Sequence, residues 1–468
     1  MSRAVEQRSV AFTGDGAGEG ELSWGQKENW ATIQAGMNVT GTWLPLGGVK
    51  PLPPGTSIEE IADELRFLLS RYQPLRTLVR SDAAGRPVQV VHGSGEIILE
   101  VVDAGDADPG EVAEEVCERY RTTRLDFTAE WPLRMGVIRS RGELTHMAVL
   151  MSHFATDAAG AAVMLTEVVT RPSAPVAGMQ PLAQAAWQQS PAGQRQNAAA
   201  LRYWEEILRT IDPRRFDDRR VDQQRVDQQR AKHQQSAHQP RYWHGEFTSP
   251  ALPPAVRAIA RDTGLGASTV FLALFAVALS EVTGITPTVV RPIVGNRFRP
   301  GLAEVVCTVA QAGVCVLDVA GVSFDEALRR AQRSVNSAYK YAYFDHEDMV
   351  ALKARIALER GVDPDIRCFI NDRHMPDGPQ ETGPIPTLEL IRDAATPSEF
   401  RWITGQDSPS FEQLFVHVDD APDAAEISLH LDSRSVSLAD AEALARAMEA
   451  TATASAVDRL RAALNPSR

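Results

Sequence analysis

Apolar positions recur along this chain at two spacings, and the points where one spacing gives way to the other mark its elements. After Ser57, residues Ile61, Leu65, Leu68 and Leu69 fall three and four apart, which predicts an amphipathic helix capped by that serine. Ser23, with Gln26 three residues on, has capping-box spacing and predicts another helix start. Runs at Val10–Thr13, Asn38–Pro45, Leu78–Arg80, Val88–Val91 and Ile97–Val102 read as strands, and Pro109–Thr123 as a helix. Leu133–Arg139 and His146–Met151 flank Arg141-Gly142-Glu143 as a hairpin. The pattern breaks over Pro172–Pro181 and returns as a helix over Asn197–Ile211.

From Pro213 to Gln239 there is almost nothing to bury, and the unit Arg-Val-Asp-Gln-Gln occurs twice in tandem from Arg220, so this stretch reads as a flexible linker. Beyond it, Leu252–Thr263 is helical. Ser268–Leu279 is apolar on nearly every face and has the length of a helix buried in a core. Pro287–Val294, Ala312–Val319 and Arg367–Ile370 read as strands, Phe324–Tyr341 as an amphipathic helix, Phe411–Val418 with Glu426–His430 as a hairpin, and Leu438–Ala452 as a closing helix. Hairpins mixed with helices on both sides of the linker predict an α/β fold of two similar lobes. The expected boundaries are 1–175 for the N-terminal lobe, 176–240 for the connecting segment and 241–468 for the C-terminal lobe.

Composition narrows the function. The chain has 468 residues, 44% apolar and 23% charged, with a net charge of -13. That acidity argues against a nucleic-acid surface, which needs clustered Lys and Arg. No run reaches the ~18 apolar residues of a membrane span, and the N-terminus has no signal-peptide core. Cys117, Cys307, Cys315 and Cys368 show no Cys-x-x-Cys spacing and read as thiols in a reducing, cytoplasmic setting. No His, Cys and carboxylate cluster has metal-ligand spacing, and no Gly-rich phosphate loop is present, so neither a metal nor a nucleotide is expected.

The chemistry concentrates at Ser152-His153-Phe154-Ala155-Thr156-Asp157-Ala158-Ala159-Gly160. An apolar run leads into this stretch as a buried strand and a small-residue pattern leads out as a helix. His153 and Asp157 are therefore expected at a strand end and in the turn that opens a helix. A histidine there can act as a base near neutral pH. Asp157 either orients the imidazole or ties the turn down through another partner.

The same residues resemble the condensation domains of nonribosomal peptide synthetases, within the chloramphenicol-acetyltransferase-like superfamily. The family motif His-His-x-x-x-Asp-Gly places its second His on His153 and its Asp on Asp157. Leu22-Ser23-Trp24-Gly25-Gln26 with Trp30, Leu75-Arg76-Thr77, Leu125-Asp126-Phe127 followed by Trp131-Pro132-Leu133-Arg134, and Val289 to Arg297 resemble further family segments, in order. Ser152 departs from the first His, Ala158 from the Gly, Cys307 from a usual Gly and Gln311 from a usual Asn.

The resemblance implies two acetyltransferase-like lobes in a V-shaped pseudo-dimer, with His153 as the catalytic residue that positions the nucleophile or takes its proton, and Asp157 paired to Arg297. Ser152 supports the turn in place of the first His. Ala158, Gly160, Gln311 and Asn371 are the candidates for lining a substrate tunnel. The implied activity is transfer of an acyl or aminoacyl group from a carrier protein's phosphopantetheine arm to an amine or hydroxyl of a small molecule. The enzyme would act in trans as a monomer with no permanently bound cofactor. A second reading is a catalytically inactive docking module that recruits a carrier protein or a partner enzyme, and a third is a related acyltransferase that esterifies a small alcohol from a free or carrier-bound acyl thioester. His346, Asp345 and His374 read as solvated or hydrogen-bonded loop residues, and His417 and His430 as cross-strand surface positions.

Overall fold

The computed structural model describes residues 4–37, 42–213, 240–374, 386–394, 398–407 and 413–464. The tandem Arg-Val-Asp-Gln-Gln repeat and Phe411 lie outside them. The chain forms two compact units: Met1–Ala198 with Gly295–Gln311 and Phe344–Asp348, and Ala199–Val294 with Ala312–Tyr343 and Met349–Arg468. These are not the expected boundaries at 175 and 240. Residues 176–198 fold with the first unit, which also takes two segments from the second half of the chain.

The first unit runs β1 (Val5–Thr13), β2 (Gly18–Glu21), α1 (Trp24–Met37), β3 (Pro45–Pro51), α2 (Ile58–Arg71), β4 (Thr77–Ser81), β5 (Pro87–Val91), β6 (Ser94–Asp103), α3 (Pro109–Thr122), β7 (Leu133–Ser140), β8 (Glu143–Ser152), α4 (Ala158–Thr170), α5 (Pro181–Gln189) and the start of α6 (Pro191–Thr210). Its main sheet has the order β1-β6-β7-β8-β3, with a separate β2-β5-β4 sheet. Only β6 and β7 pair in parallel; β1, β8 and β3 join antiparallel. Ser57 accepts from the Glu60 amide while Glu60 returns a bond to the Ser57 backbone, the reciprocal cap that the spacing predicts. Ile61, Leu65 and Leu69 of α2 then pack with Leu99, Val101 and Val137 on one face of the main sheet. Val112, Val116 and Cys117 of α3 pack with Ile138, Ala148 and Leu150 on the other.

The strand expected over Asn38–Pro45 lies instead at Pro45–Pro51. Residues 38–41 fall outside the described set. Two prolines and two glycines disguise β3 as a turn, yet it pairs only with β8, and an edge strand tolerates proline at its ends.

The second unit continues with β9 (Tyr242–Ser249), α7 (Leu252–Thr263), α8 (Ala267–Thr283) and β10 (Thr288–Val294). Then come β11 (Gln311–Ala312), where the chain leaves the first unit, β12 (Cys315–Leu317), α9 (Phe324–Lys340), α10 (His346–Arg360), β13 (Cys368–Asp372), α11 (Leu388–Ala394), β14 (Glu399–Gln406), β15 (Leu414–Ala421), β16 (Ala424–Asp432) and α12 (Leu438–Leu464). Its sheet runs β10-β13-β15-β16-β9-β14, with β12 against β10. The apolar helix α8 sits inside the core: Phe271, Leu274, Phe275 and Leu279 have no exposed surface. Burying each such side chain contributes about 1.5–3 kcal/mol. Gly264 and Gly284, at φ of 69° and 68°, end α7 and α8 in the left-handed conformation that glycine adopts without strain. No single described helix is long and apolar enough to cross a membrane.

Candidate active site

Strand β8 is paired on both sides, Met151 opposite Leu133 on β7 and Ser152 opposite Pro45 on β3, so the residues just past its end start from a fixed frame. Ser152 is fully buried and spends its hydroxyl locally. Its Oγ donates to the Trp43 carbonyl at 2.9 Å and accepts from the Phe154 amide at 3.2 Å. A small hydroxyl thus satisfies the position where the family motif has its first histidine, and the turn keeps its shape. The amides of Ala155 and Thr156 return to the Ser152 carbonyl at 2.9 and 3.3 Å, closing the turn that α4 leaves from.

Asp157 caps α4: its Oδ1 accepts from the Gly160 amide at 2.9 Å. It is only 4% exposed, and a carboxylate there needs more than one donor. Arg297 supplies the fork, Nη1 to Oδ2 at 3.0 Å and Nη2 to Oδ1, and the Val309 amide adds a bond to Oδ2 at 3.2 Å. Arg297 itself is held by the Val305 carbonyl at 3.0 Å. Of the two roles open to Asp157 from the sequence, tying the turn down is the one its hydrogen bonds serve; all of them go to the cap and to the 295–311 segment.

That segment is strapped across the turn at several points. Thr156 Oγ1 donates to the Val306 carbonyl at 2.6 Å, and a Cβ on Gly160 would stand 2.1 Å from the same oxygen. Gly25 of α1 approaches the Thr308 carbonyl nearly as closely, at 2.4 Å for a Cβ. Asn29, one turn further along α1, donates through Nδ2 to both the His153 carbonyl at 2.7 Å and Thr308 Oγ1 at 3.1 Å. The same helix holds the second imported segment: Lys27 Nζ reaches Asp345 at 2.8 Å and Glu347 at 3.2 Å. Burial alone would lower the Lys27 pKa, but these two carboxylates outweigh it and raise it. Asp345 is therefore a buried ion-pair partner, not a solvated loop residue, and His346 opens α10.

His153 hangs from this frame by its backbone, its amide donating to the Leu44 carbonyl at 2.8 Å and its carbonyl held by Asn29. Its Nδ1 is enclosed with no hydrogen-bond partner of good geometry. Burial pulls the ring below its ordinary pKa of 6.5. The Asp157 charge and the nearby backbone of Thr156 and of His153 itself pull the other way and lose. The shift favours the neutral imidazole, the form in which it can take a proton.

The tunnel candidates separate. Ala158 is exposed in the first turn of α4 and remains a candidate. Gly160 does not: the space where its side chain would be is filled by Val306. Gln311 is 2% exposed, with Nε2 donating to Glu28 and to the Phe344 carbonyl and Oε1 accepting from the Phe344 amide, so its amide fixes chain segments and is closed to a ligand. Asn371 belongs to the second unit, on β13 opposite His417. Cys307 is wholly buried against Gln184, and burial pushes its thiol up to about 12, which makes it inert.

His417 and His430 are not surface pairs. His430 lies opposite His244 on β9, with rings stacked at 4.3 Å, and His417 stacks on Phe415. Burial pulls them down to about 3 and about 4 respectively. His374 is bonded to Asp372 and stacks on Phe271 at 5.0 Å, as a hydrogen-bonded loop histidine. Among the described residues no three His, Cys, Asp or Glu side chains are grouped to hold a metal. Sequence reading missed Asn29, which lies inside the recognised Leu-Ser-x-x-Gln…Trp segment; the only signal was a polar residue between Gln26 and Trp30.

Comparison with known proteins places this geometry in a family. The condensation-domain profile matches residues 51–363. The nonribosomal peptide synthetase kk1B of Curvularia clavata is 25% identical over 298 residues, 61% of this chain. The chain spans only 1–2% of the length of the curated relatives it matches. Among solved structures, a condensation domain that mediates chain release from the enacyloxin polyketide synthase superposes with a TM-score of 0.67 at 21% identity, covering 92% of this chain and 82% of that one. The teicoplanin X-domain, in its complex with OxyB, gives 0.66 at 17%, covering 94% and 93%. With the profile spanning well over half of its residues, the chain belongs to the condensation-domain family.

Proposed function

We propose that this protein catalyses condensation: acyl or aminoacyl transfer from a carrier protein's phosphopantetheinyl thioester to an amine or hydroxyl of a small-molecule acceptor. The observation that supports this most directly is the place of His153, just past the end of a strand paired on both sides, where burial pulls its ring below the ordinary pKa and so favours the neutral imidazole. The acceptor's nitrogen or oxygen attacks the thioester carbon and Nε2 takes its proton. The carbon–sulfur bond then breaks, and the proton passes to the departing thiolate. Asp157 and Arg297 take no part in proton transfer; they hold the turn that aims the ring. Phosphopantetheine enters only as part of the substrate.

A second reading, a docking module without turnover, draws support from Ala158, whose methyl group stands where the family motif has glycine. Single-turnover transfer separates the two readings. Acyl-loaded carrier proteins, supplied as separate chains, are mixed with a panel of amines and alcohols and followed by intact mass. The expected result is loss of acyl from the carrier with a matching product, abolished in His153→Ala. Carrier binding without turnover across the panel would favour docking.

A further inference from the structure

We infer that Asn29 is a positioning residue for His153, fixing the ring through the histidine's own carbonyl. Three observations lead to it. First, Nδ1 of His153 is enclosed with no hydrogen-bond partner of good geometry, so the backbone that carries the ring has a large share in placing it. Second, that backbone is held from outside the turn at both polar groups. Leu44, in the left-handed region at φ 51°, takes the amide, and Asn29 takes the carbonyl at 2.7 Å. Third, the other Asn29 amide hydrogen reaches Thr308 Oγ1 at 3.1 Å, on the strap that also receives Thr156 and donates to Asp157. One amide therefore ties the base to the segment that holds its neighbouring carboxylate. Moving either would move the other.

The carbonyl matters to the ring as well as to the chain. It lies near enough to the imidazole to favour a ring proton, and the Asn29 bond draws on its lone pair. Without that donor the carbonyl is free to serve the ring, and protonation becomes easier. Loss of Asn29 should thus lower the rate by displacing the ring and also move its titration upward. A residue that merely filled space on α1 would do only the first.

This inference rests on His153 being the base, and the test keeps the two claims apart. Asn29→Leu removes both donors at nearly constant shape, and Thr308→Val removes only the second bond. Ring titration of His153 is followed by NMR on histidine-labelled full-length protein, assigned by its loss in His153→Ala. Single-turnover acyl transfer is measured in parallel. For Asn29→Leu the expected result is a higher ring titration midpoint, with the rate of transfer down by about 10 to 10² and substrate KM little changed. Thr308→Val should move the midpoint less. An unchanged midpoint in Asn29→Leu overturns the inference, whether or not the rate falls. A shifted midpoint in a protein whose wild type transfers nothing upholds the positioning and overturns the catalytic reading instead.

Discussion

Replacing Arg297 by alanine is the most informative single perturbation, because it separates holding the turn from doing chemistry. Asp157 keeps two backbone donors in the variant, from Gly160 and Val309, but loses both guanidinium bonds while remaining 4% exposed. Removing one member of a buried ion pair costs about 3–5 kcal/mol, and the surviving amides place this site near the lower end, at about 3 kcal/mol. For a unit of about 150–250 residues each kcal/mol moves the melting temperature by about 2–4 °C, so a fall of about 6–12 °C is expected in the transition of the first unit. Arg297→Lys should fall between, since it keeps the charge and loses the two-pronged geometry. The assay is thermal unfolding of wild type, Arg297→Ala, Asp157→Ala and the double variant. Coupled losses in the cycle, with the double variant less destabilised than the sum, support the argument. A shift below about 2 °C for Arg297→Ala, or simple additivity, would refute it.

Other consequences are as direct. Gly160→Ala places a methyl 2.1 Å from the Val306 carbonyl, so it should cost about 1–3 kcal/mol in thermal unfolding, although helix propensity alone favours alanine; equal or greater stability would show that the strap yields. Ser152→Ala leaves the buried Trp43 carbonyl without the Ser152 donor and should cost about 1–3 kcal/mol, measured the same way, whereas Ser152→Thr keeps the oxygen. The buried histidines give the pH dependence its sign. His153, His417 and His430 all titrate below their ordinary value when folded, so the unfolded chain binds more protons as pH falls below 6.5. Their contribution is flat above 6.5 and turns against the fold between there and about 3, the folded value of His417. His430→Phe, which keeps a ring on His244, should flatten that loss in melts run from pH 7.5 to 4.5; an unchanged slope would count against it.

What could be read from the sequence was what is encoded over a few residues. The Ser57 and Ser23 caps, the buried α8 and the strand-turn-helix around His153 all rest on neighbours within four positions, and all are present. The position of Arg297 came through a family resemblance; spacing alone left the partner of Asp157 open, because the two are 140 residues apart. The misreadings share that cause. Gly160 and Gln311 were expected to face substrate, but the direction of a side chain depends on which distant segment lies beside it, here Val306 and Phe344. Asp345 read as solvated because its partner, Lys27, lies near the other end of the chain. His417 and His430 alternate as exposed hairpin positions should, but His244 on the neighbouring strand β9 stacks on His430, and His417 packs against Phe415 and His430.

The first unit borrows 295–311 and 344–348 from the far half of the chain, and this sets an order on synthesis. At about 5–20 residues per second, the ribosome takes about 8–30 s to go from residue 198 to residue 348. For about the first two-thirds of that interval the nascent first unit holds the Asp157 carboxylate without Arg297, and for nearly all of it Lys27 lacks Asp345. The first unit cannot be completed until those two later segments have been made. A gene spliced near residue 198 to a different second half would inherit a foreign strap against its own histidine turn. Recombination that spares the site therefore has to carry both imported segments along with the first 198 residues.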